Sequence, residues 1–117
     1  MSDAKPTVDQ HFESRDPRVR SIYDRIVKAA AAFGPVRQEA KKTSIHLVRE
    51  TAFAGVATRR DALILTLKCA ADIESPRVAK REKVSANRWH VEVRLEEPAE
   101  VDRELKSWLK TAYELSG

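Results

Sequence analysis

At Gly34-Pro35 the spacing of apolar residues changes from steps of three and four to steps of two, and this change constrains the fold more than any other feature of the chain. Before it, Val19, Ile22, Tyr23, Ile26, Val27, Ala30 and Phe33 recur at helical spacing, while Arg18, Arg20, Asp24, Arg25 and Lys28 take the opposite face. Asp16 is placed to accept from the unpaired amides of a first turn, and Pro17 has no N–H to lose there. A helix is therefore predicted from residue 17 to the Gly34-Pro35 stop. Ahead of it, Thr7 and Gln10 have the spacing of a capping box, and residues 1–15 are expected to form a short helix or a flexible arm.

After Gly34-Pro35, β-branched and apolar residues alternate with charged ones, which predicts half-buried strands at 36–40, 44–49, 52–58, 62–68 and 88–95, the first being the weakest. The connections Arg49-Glu50-Thr51 and Arg59-Arg60-Asp61 are too short for the crossover that a parallel pair requires, so the strands should form an antiparallel meander. In the last strand Trp89, Val91, Val93 and Leu95 point one way, and His90, Glu92 and Arg94 the other. Residues 70–87 are too polar for a core strand and read as a long basic excursion, a solvated loop or short helix. A second helix is predicted from Pro98, with Val101, Leu105, Trp108, Leu109 and Ala112 on its apolar face and Glu97, Glu100, Asp102 and Glu104 near its positive end. The 117 residues suffice for one core. The expected fold is a single α+β domain over residues 1–117, an antiparallel meander of four to five strands packed on N-terminal and C-terminal helices.

No apolar run is long enough to cross a membrane and no secretory leader is evident. Cys69 is the one cysteine, so no internal disulfide can form and a reducing, cytoplasmic location is expected. The net charge of +4 is unevenly spread: residues 36–91 carry 12 basic and 6 acidic groups, whereas residues 92–117 carry 4 and 7. A basic middle region can meet nucleic acid or another polyanion, although solvated surface explains the same charges.

Three classes of function follow. The first is a polyanion surface built from Lys41, Lys42, Arg49, Arg59, Arg60, Arg77, Lys80, Arg81, Lys83 and Arg88, which would neutralise phosphates and release counterions. Aromatic interleaving is sparse, so a stacking platform for single strands is not expected. The second is a small-molecule site on the polar sheet face, where Lys42, Ser44, His46, Arg88 and His90 could hold a carboxylate or phosphate. The third is a module that docks a protein partner. No nucleophile-elbow word accompanies Ser44 or Ser85, and His11, His46 and His90 lack metal-ligand spacing. The chain thus reads as noncatalytic, with no cofactor and no metal site.

Several words of the chain occur together in a known order. They are His11-Phe12 before Asp16-Pro17-Arg18-Val19, then Lys41-Lys42-Thr43-Ser44-Ile45-His46-Leu47 and Phe53-Ala54-Gly55-Val56. Ser75-Pro76-Arg77, Arg88-Trp89-His90-Val91, and Glu100-Val101-Asp102 with Trp108-Leu109 complete the series. Together they resemble the bacterial domain-of-unknown-function family numbered 5655. The resemblance implies a small α+β fold and an accessory role beside larger proteins, and it transfers no catalytic residue. The element order is also distantly similar to the YdhG-like, frataxin-like group, which would recast Glu97, Glu100 and Glu104 as a weak iron-binding ridge. The functional expectation is a noncatalytic binding or accessory domain whose basic middle region meets an anionic ligand or nucleic acid, with the small-molecule site and the metal carrier as alternatives.

Overall fold

The computed structural model describes residues 6–117; residues 1–5 of the expected N-terminal arm lie outside the described residues. Thr7 and Gln10 form the reciprocal capping box, with amide-to-side-chain distances of 2.9 and 3.3 Å. They open a 3-10 turn, Asp9–Phe12. Helix α1, Pro17–Ala31, starts where Asp16 accepts from the Arg18 amide at 2.9 Å, and buries Val19, Ile22, Tyr23, Ile26 and Ala30. Beyond its end Gly34 has φ +152°, and a Cβ there would meet the Tyr113 hydroxyl, so both backbone and space require glycine.

The strands are β1 (Arg37–Ala40), β2 (Ile45–Val48), β3 (Ala52–Thr58), β4 (Leu63–Cys69), β5 (Val78–Ser85) and β6 (Arg88–Leu95). They form one sheet in the order β1-β2-β3-β4-β6-β5, antiparallel at every pairing. The α+β class and the antiparallel sheet agree with expectation, and the sheet carries one strand beyond the four to five foreseen. That strand, β5, occupies the excursion. Because β6 lies between β4 and β5, the sheet leaves the simple meander at this edge, and residues 70–77 must pass across β6. Ile73 and Val78 pack against the core along this path.

A bulge separates β2 from β3. Leu47 faces Ala54 and Val48 faces Ala52, leaving Phe53 as the extra residue. Strict alternation would place Phe53 with Gly55 and Ala57 on the polar face; instead it is fully buried, its ring edge-on to Tyr113 of the second helix at 5.2 Å. That helix, α2, spans Arg103–Leu115 and is capped by Asp102, which accepts from Leu105 N at 3.0 Å. Pro98 begins not α2 but a separate 3-10 turn, Pro98–Glu100, closed by a Glu97/Glu100 capping box.

Both helices cover one face of the sheet. Ile45, Leu47, Val56, Leu63, Leu65, Leu67, Val91, Val93 and Leu95 are at most 1 % exposed and form one core with the buried residues of α1 and α2. Among the described residues no helix or strand lies over the other face, as antiparallel sheets allow.

Candidate functional site

The uncovered face is set by the register of its central strands. His46 stands beside Gly55, Gly55 beside Thr66, and Thr66 beside Glu92; one row further along, Lys68 stands beside His90 and His90 beside Glu82. Side chains two apart on a strand share a face, so Thr66 and Lys68 join Ser44, His46 and His90. These five line a hollow of about 290 Å³. Its floor is low because Ala52, Gly55 and Ala57 are small, and the taller polar residues stand around it.

Gly55 is informative. It has no positive φ, and a Cβ built on it would meet only Thr66 Cβ, at an ordinary 3.9 Å. Neither backbone nor packing requires glycine here, yet glycine inside a strand costs about 0.5–1 kcal/mol relative to alanine. What the missing side chain supplies is space above the sheet.

Lys68 is the one lysine lining the hollow, and its Nζ donates to Thr51 Oγ1 at 3.1 Å. His90 Nδ1 lies 3.9 Å from Glu82 Oε1 at the outer rim. The imidazoles of His46 and His90 and the hydroxyls of Ser44 and Thr66 supply further hydrogen-bonding groups. One lysine, several hydrogen-bonding groups and an apolar floor can hold a singly charged head group with an apolar body.

Of the five residues foreseen for a polar-face site, Ser44, His46 and His90 come together, whereas Lys42 and Arg88 do not. Lys42 lies beside Gln10 and His11, and Arg88 donates to Asn87 O at 2.8 Å at the start of β6. Thr66 and Lys68 were missed. Both lie in the predicted strand 62–68, and their even spacing with the polar residues of neighbouring strands was the available signal.

The ten cations foreseen for a polyanion are dispersed. Lys41, Lys42, Arg59 and Arg60 occupy the turns at one end of the sheet, and Arg49 and Arg88 the other end. Several are engaged within the fold. Lys41 pairs with Glu39 at 3.5 Å, Arg59 donates to Thr58 O, and Arg49 donates to Tyr113 O while lying 4.5 Å from that ring's centre. Arg77 binds Asp102, Glu104 and the Glu100 carbonyl. Arg81 binds Asp72 and the Ile73 carbonyl. On β5, Lys80 stands opposite Glu92, and Lys83 Nζ lies 6.0 Å from the Trp89 ring.

The acids near α2 are likewise occupied: Glu97 pairs with Arg18, Glu100 closes the capping box, and Glu104 pairs with Arg77. The Leu105 amide, and then Arg77, hold the Asp102 carboxyl below the usual carboxylate value. Among the described residues no three His, Cys, Asp or Glu side chains are grouped to hold a metal. Burial pushes the Cys69 thiol up to about 11, which keeps it protonated and poorly nucleophilic. No helix among the described residues is long and apolar enough to cross a membrane.

No curated protein and no solved structure matches the chain. Residues 8–116 match the model of the family described as Domain of unknown function (DUF5655), nearly the whole length, and the chain belongs to that family.

Proposed function

We propose that this domain is a noncatalytic binding module that takes a small carboxylate-bearing molecule on the uncovered face of its sheet. The observation that carries this reading is the hollow itself, where Ser44, His46, Thr66, Lys68 and His90 stand around a floor opened by Gly55. Lys68 would face the carboxylate, the hydroxyls and imidazoles would fix its orientation, and the apolar body would lie along Ala52, Gly55 and Ala57. A polyanion surface has less support, because its cations are spread over both ends of the sheet and Arg77, Arg81, Arg49 and Lys41 are held by other groups.

Acetate, hexanoate and benzoate titrated into isotopically labelled protein test the proposal by amide chemical shifts. Saturable shifts confined to residues around the hollow, stronger for the two larger probes and lost in Lys68→Ala, are expected. Shifts absent at millimolar probe, or unchanged in Lys68→Ala, would remove the carboxylate site.

A further inference from the structure

Three cations that the open face does not use meet on the helical side of the molecule. Arg25 and Lys28 project from α1 and Lys106 from the first turn of α2, and together they line a groove of about 410 Å³. Ala29, Ala32 and Val101 complete its wall. Arg25 and Lys28 are three apart and so share one side of their helix. The Arg25 guanidinium also donates to the Pro98 carbonyl at 3.3 Å, which fixes it where the turn before α2 approaches α1.

The neighbouring carboxylates are turned elsewhere. Asp24 pairs with Arg20, Glu97 with Arg18, and Asp102 and Glu104 with Arg77, while Glu100 accepts from the amides of Glu96 and Glu97. No acid among the described residues forms an ion pair with Arg25, Lys28 or Lys106. Lys106 also stands near the positive end of the α2 dipole, where a cation is disfavoured. Like charges from two helices lining one groove, with no ion-paired acid among the described residues, are an arrangement that a bound anion relieves.

We propose that the groove between α1 and α2 binds a phosphate-bearing small molecule, with Arg25, Lys28 and Lys106 on the phosphate oxygens and the remainder of the ligand against Ala29, Ala32 and Val101. Arginine supplies a planar fork that fits two oxygens, and the lysines supply point charges. The hollow on the open face is lined by one lysine, and this groove by one arginine and two lysines. The two sites therefore sort ligands by charge, and each stands or falls without the other. The volume lies within the roughly 300–1,000 Å³ usual for small-molecule sites.

The test is calorimetric titration of the full chain at low ionic strength with inorganic phosphate and with pyrophosphate. It compares the unaltered protein, the triple variant Arg25→Gln, Lys28→Gln, Lys106→Gln, and a charge-matched control, Lys42→Gln, Arg60→Gln, Lys80→Gln. Saturable binding is expected, tighter for pyrophosphate, weakened about tenfold or more in the triple variant and nearly unchanged in the control and in Lys68→Ala. Absence of saturable binding, retained affinity in the triple variant, an equal loss in the control, or loss in Lys68→Ala would each overturn the site.

Discussion

The Arg77 guanidinium lies 5.6 Å from the centre of the Trp108 ring and donates from the same planar group to Asp102 and Glu104. This contact fastens the end of the crossover before β5 to the start of α2, a tether between segments distant in sequence. The Arg77 side chain is only 22 % exposed, so its stem covers apolar surface as well as carrying charge. Arg77→Ala is expected to lower the unfolding free energy by about 1–3 kcal/mol in urea melts. Arg77→Lys should recover only part of that, because an ammonium cannot serve two carboxylates and a ring with one planar fork. A loss below about 0.5 kcal/mol, the usual effect of a surface change, would show that the tether is not holding the crossover.

Phe53 and Trp89 should respond in the opposite order from that suggested by side-chain size. Phe53 is fully buried at the bulge, whereas Trp89 is only partly buried against the core edge, with Lys83 near its ring. Truncation of Phe53 to alanine is expected to cost about 3–5 kcal/mol, and truncation of Trp89 roughly 1–3 kcal/mol. Denaturant melts finding Trp89→Ala the costlier change would contradict the inward placement of Phe53.

Strand β5 and the bulge at Phe53 show why part of this architecture was legible in the chain and part was not. Strands whose faces differ, such as β4 and β6, announce themselves because one face is buried and every second residue must be apolar. Strand β5 gives no such signal. From Ala79 to Ser85 every residue is exposed, since the strand is an edge with little covering either face, and its charges look like those of a loop. Phe53 defeats alternation because one inserted residue moves a side chain to the other face. For the site, Ser44, His46 and His90 were visible by spacing. Which strands stand beside one another is a matter of register, and only register brings Thr66 and Lys68 to them. The tethering of Arg77 and Arg81 depends on a crossover whose path no local pattern encodes.

Gly55 should trade stability against binding. Its extra methyl would sit in ordinary contact with Thr66 and replace a flexible residue in a central strand. Gly55→Ala is therefore expected to raise stability by about 0.5–1 kcal/mol. The same methyl rises into the floor of the hollow, so affinity for hexanoate or benzoate should fall. Thermal melts and probe titrations on one preparation read both effects. Greater stability with unchanged affinity would detach Gly55 from the site, and lower stability would mean that the space above it is not open.

Alkaline pH should unfold the domain from the inside. Burial pushes the Cys69 thiol up to about 11 from 9.0, and pushes the Tyr23 hydroxyl up to about 12 from 10.0. The Tyr23 hydroxyl donates to Gln38 Oε1 at 2.6 Å, a bond that needs the proton. Between the two values for each group the folded chain holds a proton that the unfolded chain has released. Stability is therefore full below pH 9 and falls as pH rises through the folded-state values, with each group contributing on the order of 3 kcal/mol. Urea midpoints measured from pH 7 to pH 11 should stay level to about pH 9 and then decline. In Cys69→Ala, which begins from lower stability, the decline should start about one unit later, where Tyr23 loses its proton in the unfolded chain while the folded chain keeps it. Rapid reaction of Cys69 with a thiol reagent at pH 8 in the folded protein, at the rate seen in urea, would contradict a buried, protonated thiol.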